Sequence, residues 1–265
     1  MGYKDLTKKD KKFIKQTYKK YPNQEAEVII AEKFNAGIRS VQRWKNNLSL
    51  NMNILVIGDL HEPFALDGYL EFCKEQYKKF NCKRVIFIGD IIDNHYSSYY
   101  ETDADGMGGL DELNLAIQKI SKWYEAFPEA TVIIGNHDRM IMRKAQTSSI
   151  PSVWIKEYKD VLNTPNWEFV DRKVIGDVQY IHGEGGTARV KARADMMSTV
   201  QGHLHTQCYT EWFVGSNFRI FGSQVGCGID HDSYAMAYAK RGKKPAIGCM
   251  VVLKGELPIN LLMEL

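Results

Sequence analysis

The chain has 265 residues, 44% of them hydrophobic and 25% charged, with a formal net charge of +3; this is the make-up of a globular protein with room for one large domain and one small one. No apolar run reaches membrane-crossing length, the basic N-terminus lacks the apolar core of a signal peptide, and the five cysteines (73, 82, 208, 227 and 249) show no metal-ligand spacing, so a soluble cytoplasmic protein with reduced thiols is expected and a membrane protein or disulfide scaffold is not. Residues 1–50 hold 12 basic and 5 acidic side chains, a balance of +7, against 23 and 27 in the remainder, a balance of −4, so a basic head that meets a polyanion is expected on a mildly acidic body.

In chain order, residues 8–20 read as a basic helix with Phe13, Ile14, Thr17 and Tyr18 near helical spacing, broken by Tyr21-Pro22-Asn23. A second helix is expected from about Gln24 to Phe34. Asn35-Ala36-Gly37 makes a tight turn in which Asn35 and Gly37 tolerate positive φ. A third helix follows from Ile38 to about Asn47. Ile30, Ala31, Phe34, Ala36, Ile38, Val41 and Trp44 form the apolar set that two helices crossing at a short turn would bury. The segment resembles a helix-turn-helix of the homeodomain-like kind. Its last helix would present Arg39, Ser40, Gln42, Arg43 and Lys45, side chains suited to phosphates and base edges, so nucleic acid, DNA ahead of RNA, is the expected partner. A helical hairpin that docks on the other domain or drives oligomerisation is the alternative. Residues 1–48 are thus expected to be one domain and 52–265 another, joined by a short linker at Asn46–Asn51.

Beyond the linker, three short apolar runs, Ile54–Ile57, Val85–Ile88 and Val132–Ile134, each end in a glycine followed by a polar residue, as buried parallel strands do. The blocks are Gly58-Asp59-Leu60-His61, Gly89-Asp90-Ile91-Ile92-Asp93 and Gly135-Asn136-His137-Asp138. Residues 67–80 and 111–126 are amphipathic and suit crossover helices. Residues 94–110, with Tyr96, Tyr99, Tyr100 and Gly106-Met107-Gly108-Gly109, read as a long rim loop whose aromatics either stack on a base or pack the loop down. His182-Gly183-Glu184 precedes Gly185-Gly186-Thr187, where a helix starts whose free N–H groups can hold an anion. Gly202-His203-Leu204-His205 follows. Residues 207–214, 217–224 and 246–253 read as strands of a second sheet, with Asp230-His231-Asp232 in a polar turn between them.

These five blocks, in this order over about residues 53–231, resemble the calcineurin-like metallophosphoesterases. Singly each has an ordinary explanation, such as a capping Asp in a turn, a helix-capping Asn136 or a core His182. The resemblance implies an α/β fold, a four-layer α/β/β/α sandwich, here carrying the small all-α N-terminal domain. It implies one metal on Asp59, His61, Asp90 and His205 and a second on Asp90, Asn136, His182 and His203, with Asp90 bridging. It also implies His137 as a catalytic group facing substrate, with Asp138 holding its ring. Mixed imidazole and carboxylate donors suit two divalent ions, manganese ahead of iron, zinc, nickel or magnesium, and the absence of Cys argues against a thiolate zinc site. Two such ions can clamp an in-line displacement at phosphorus. Protein serine/threonine phosphatases carry an Arg after the second Asp block. Here Asn94 and His95 stand there, so a phosphoprotein substrate is disfavoured and these two become candidate substrate contacts. The pairing of a basic helical module with this core is similar to phage or mobile-element phosphoesterases. A nuclease or phosphodiesterase is therefore the first expectation. A phosphatase or phosphodiesterase for a nucleotide or cyclic nucleotide is the second, and a DNA-binding regulator with a structural metal core the third.

Overall fold

The computed structural model describes residues 2–49, 52–99, 105–233 and 244–265. The chain divides into two compact units, Met1–Met52 and Asn53–Leu265.

The first unit is three helices, α1 (Lys8–Lys20), α2 (Asn23–Phe34) and α3 (Ile38–Ser49). Thr7 starts α1 with a reciprocal cap: its hydroxyl accepts from the Asp10 N–H at 3.2 Å and the Asp10 carboxylate accepts from the Thr7 N–H at 2.9 Å. Pro22 cannot extend α1, and Asn35, left-handed at φ 44°, closes α2. Leu6, Ile14, Ile30, Val41 and Trp44 form the core, with Phe34 edge-on to Trp44 at 5.7 Å. Three details differ from the sequence expectation. Ile38 is 40% exposed, because it opens α3 on the outer side of the turn. Gly37 does not use its left-handed freedom; its carbonyl accepts from the N–H groups of Ser40 and Val41 as the first turn of α3. Helix α3 also continues to Ser49, into the segment expected as linker; residues 50 and 51 lie outside the described residues.

The second unit holds two sheets. The first has the strand order β11-β10-β1-β2-β3-β4, with β1 (Ile54–Ile57), β2 (Arg84–Phe87), β3 (Thr131–Ile133) and β4 (Glu168–Val170) mutually parallel. The second has the order β5-β6-β7-β9-β8, built from β5 (Arg172–Ile175), β6 (Val178–Ile181), β7 (Ser198–Gln201), β8 (Cys208–Val214) and β9 (Arg219–Val225). Leu55, Ile57, Val85, Phe87 and Val132 on one face of the first sheet share a core with Tyr69 and Cys73 of α4 (Tyr69–Lys79) and Ile120 and Trp123 of α5 (Gly109–Ala126). The alternate residues Ile54, Val56 and Ile86 face the other way and are equally buried. Burial on both faces is why the sequence runs are apolar throughout. In the second sheet, α8 (Ala188–Asp195) packs on β7 and β9.

The segment expected at 246–253 in the second sheet is instead β10 (Gly248–Leu253) of the first, antiparallel to β1, and β11 (Leu257–Leu262) pairs beyond it. Apolar patterning identifies a strand but not its partner; here the free edge of β1 takes it. Two short helices, α6 (Met140–Thr147) and α7 (Tyr158–Val161), lie between β3 and β4. Tyr100 of the rim loop, with residues 101–104, lies outside the described residues. Tyr96 packs that loop down, its ring against Gly109 and its hydroxyl donating to Asn94 Oδ1, whereas Tyr99 stays exposed. The five cysteines are free thiols, and no helix among the described residues is long and apolar enough to cross a membrane.

Candidate metal centre

Each block of polar residues sits just past the carboxyl end of a strand: Asp59 and His61 after β1, Asp90 after β2, Asn136 after β3, His182 after β6, and His203 and His205 after β7. That is the crevice where parallel sheets place their ligands. Asp59, His61 and His205 offer donor atoms within 4.8 Å of one another; so do Asp90, His182 and His203, and so do His61, Asp90 and His137. Asn136 joins the second group through its Oδ1, 2.9 Å from His182 Nε2. All seven residues expected as ligands therefore converge. Asp90 lies between the groups, with Oδ2 3.1 Å from His182 Nε2 and 3.8 Å from His61 Nε2.

The donor set fits divalent ions on its own chemistry. His61 Nδ1 donates to Asp93 Oδ1 at 2.6 Å, which leaves a lone pair on Nε2. That atom faces His205 Nε2 at 3.0 Å, itself 3.3 Å from Asp59 Oδ2. His182 Nδ1 donates to the Ile88 carbonyl at 3.0 Å, so its Nε2 lone pair also points at acceptors, Asn136 Oδ1 and Asp90 Oδ2. Asp59 Oδ1 is buried with no hydrogen-bond partner. Converging lone pairs and an orphaned carboxylate oxygen call for a cation. Protons answer the same field: burial opposes charging of His182, but Asp90 and Asp59 outweigh it and push its pKa up to about 10. Burial lowers the pKa of His61, helped by its His137 neighbour.

The ring of His137 is held by Asp93, not by Asp138. Its Nδ1 donates to the Asp93 carbonyl at 2.6 Å and lies 3.4 Å from the Asp93 carboxylate. Burial disfavours its charged form, but Asp90 and Asp93 raise its pKa overall. Asp138 is committed elsewhere: its carboxylate accepts from the N–H groups of Gly135 (2.8 Å), Asp90 (2.9 Å), Ile91 (3.1 Å) and Ile92 (3.4 Å). It thereby fixes the loop that presents Asp90. Burial, then Asp90, raises its pKa to about 6 against the pull of those donors. Asn94 and His95 are both buried. The Asn94 amide donates to the His137 carbonyl at 3.0 Å, and His95 lies 3.9 Å from Asp93 Oδ2. Asp93, which binds His61, His137 and His95 together, went without a role in the sequence reading. Its signal was the second Asp of Gly-Asp-x-x-Asp. Asp230-His231-Asp232 is a local turn, with the Asp230 carboxylate accepting from the Asp232 N–H.

The calcineurin-like phosphoesterase family model matches residues 52–212. The chain belongs to this family. It is a metal-dependent phosphoester hydrolase, and its Asp and His clusters are the groups able to hold the metals. No curated protein matches it. Solved structures similar to this phosphoesterase include vacuolar protein sorting 29 from Cryptosporidium parvum, at 14% identity over 79% of this chain and 86% of that one with a TM-score of 0.40. Yfce, a phosphoesterase from E. coli, matches at 12% over 80% and 100% with a TM-score of 0.39. The Pseudomonas putida nuclease MPE matches at 14% over 78% and 86% with a TM-score of 0.36. Likenesses this distant carry no argument about substrate.

Beside His182 the phosphoesterase has an open hollow of about 420 Å³, lined by the Gly183–Gly186 run, Thr187, Gln201 and Arg139. Helix α8 starts at its edge, as expected, although the Ala188 N–H is taken by Gln224 Oε1 at 3.3 Å. Arg139 spans the rim, with Nη2 2.8 Å from Asp171 Oδ1 and Nη1 2.5 Å from Glu184 Oε1.

Proposed function

We propose that this phosphoesterase is a nuclease, a two-metal phosphodiesterase brought to DNA or RNA by its N-terminal helices. One ion would be held by Asp59, His61, Asp90 and His205 and the other by Asp90, Asn136, His182 and His203; the donor set, four imidazoles with three oxygen donors and no thiol, is compatible with manganese. Such a pair supplies a nucleophile at neutral pH and neutralises charge on the phosphoryl oxygens. His137, its Nδ1 fixed by the Asp93 carbonyl, is left with Nε2 to pass a proton to the leaving alkoxide, and the neighbouring carboxylates favour its charged form.

The observation that carries the nucleic-acid reading is the charge of the first unit, +7 over residues 1–50, with Arg39 and Arg43 exposed on α3 and Lys8, Lys11, Lys12 and Lys15 around one hollow on α1. Also on α3, Gln42 donates to Glu27 at 2.9 Å, and the Lys45 ammonium lies 4.7 Å from the Tyr18 ring centre. The test is the affinity of the Arg39→Ala/Arg43→Ala double variant for a labelled oligonucleotide at two salt concentrations. A weaker affinity and a shallower salt slope than in the unsubstituted chain are expected. Equal affinity and slope would reject the tethering role. The second reading, a nucleotide or cyclic-nucleotide phosphodiesterase, is favoured by the hollow beside His182, whose size suits a small ligand.

A further inference from the structure

Between Asp138 and β4 (Glu168–Val170) the chain makes an excursion that contributes no candidate metal ligand. Helix α6 starts immediately after Arg139, and a tight 3-10 turn, Ser152–Trp154, packs against it. Residues 146–154 are all exposed, and they include Ile150, Val153 and Trp154. Trp154 is 79% exposed, while Trp44, Trp123 and Trp167 are buried and Trp212 is 38% exposed. On the same helix, the Arg143 guanidinium lies 5.0 Å and the Lys144 ammonium 5.5 Å from the centre of the Tyr99 ring, itself 52% exposed. Among the described residues neither cation forms an ion pair with a carboxylate, in contrast to Arg139 one turn earlier. Residues 139–160 carry five basic and two acidic side chains, a balance of +3 in a body that is otherwise acidic.

We infer that this face, formed by α6, the turn at Trp154 and Tyr99, is a track for single-stranded nucleic acid leaving the metal centre. The inference rests on the nuclease reading above and names the form of its substrate. Exposed aromatics interleaved with unpaired cations suit a strand whose bases stack on rings while its phosphates meet Arg and Lys. A duplex hides its base faces within its own stack, so the same surface favours single strands. The track joins the chemistry at Arg139. That residue lines the hollow beside His182, and Arg143 lies one helical turn, about 6 Å, further along α6.

Trp154 supplies its own reporter. Titration of the full chain with oligo(dT) should quench tryptophan fluorescence, and duplex of equal length should quench it far less. Trp154→Ala should abolish most of the quench and weaken oligo(dT) binding by about tenfold. Trp154→Phe, which keeps a stacking ring, should lose the quench but hold affinity within about twofold. Arg143→Ala/Lys144→Ala should weaken binding and flatten its salt dependence. All these variants should hydrolyse a small chromogenic diester at the unsubstituted rate. The same titrations in the Arg39→Ala/Arg43→Ala chain remove the head's contribution to affinity. If the protein binds and cleaves oligonucleotides but Trp154→Ala changes neither, the track is overturned and the nuclease reading stands. If the unsubstituted chain neither binds nor cleaves nucleic acid, both fall. Equal quenching by duplex overturns the single-strand preference. A concentration-dependent dimer in sedimentation that Trp154→Ala dissolves would reassign the face to a second copy of the chain and overturn the inference.

Discussion

His61, Asp90 and His203 hold φ at 52°, 48° and 71°, a region that costs a non-glycine residue about 1 kcal/mol or more. Each is kept there by a bond from its own N–H: His61 to the Asp90 carbonyl at 2.8 Å, Asp90 to the Asp138 carboxylate at 2.9 Å, and His203 to Asp59 Oδ2 at 2.8 Å. The candidate ligands therefore brace one another's backbone. Asp90→Asn removes the charge shared by both groups, so metal content and turnover should fall together; elemental analysis showing two ions at near-normal turnover would refute the bridging role. His137→Ala should keep its metals and lose turnover by about 10²–10⁴-fold on a substrate with a poor leaving group, and by less on an activated aryl ester. Equal losses on both substrates exclude His137 as the proton donor. Asp138→Ala leaves four buried N–H groups without their acceptor, so a urea midpoint should report a stability loss of about 3 kcal/mol or more. Unchanged stability with only slower turnover would restore a direct catalytic part for Asp138.

The strand-glycine-ligand pattern was legible as three elements because each strand is buried on both faces and stops at a glycine. Why the glycine is required was not legible. A methyl group on Gly135 would run into the Asp90 carboxylate and amide, and one on Gly89 into the His182 ring, which are contacts between loops far apart in sequence. In the first unit, α1 was readable to the residue because its start and stop are local, the Thr7 cap and Pro22. Thr7→Ala should cost that unit about 1 kcal/mol, read from its thermal midpoint. The Thr7 hydroxyl and N–H hold the Asp10 carboxyl below its ordinary value of 3.8. Since the folded value lies below the unfolded one, the ionised cap stabilises the helix above pH 3.8, and that contribution is lost as pH falls through the depressed value. Helicity of the unit in acid should therefore decline earlier in the intact chain's titration than in Asp10→Asn, which has no such carboxyl to protonate; identical acid profiles would remove Asp10 from the cap.

For the whole molecule, the two units have separate cores, and every candidate metal ligand lies in the second. A chain lacking residues 1–50 should hydrolyse a small chromogenic diester at nearly the full rate, while turnover of long nucleic acid at low concentration falls, because the head acts by raising local concentration. Parallel loss of both activities would show that the head supports the fold of the second unit instead.

By itself the sequence determined β1–β3 and β8–β10 as strands, α1–α5 and the start of α8 as helices, the order of the ligand blocks and the uneven charge, since each is written in local periodicity or in a residue type at a strand end; β4–β7, β11, α6 and α7 were not legible in it. Tertiary structure alone decided that β10 pairs with β1 rather than joining the second sheet, because an apolar run is compatible with any open edge. It alone decided that Asp93 takes the His137 ring while Asp138 ties down the Asp90 loop. The ring is taken by the Asp93 backbone carbonyl at 2.6 Å, an acceptor every residue carries, so only the fold could say which residue would supply it.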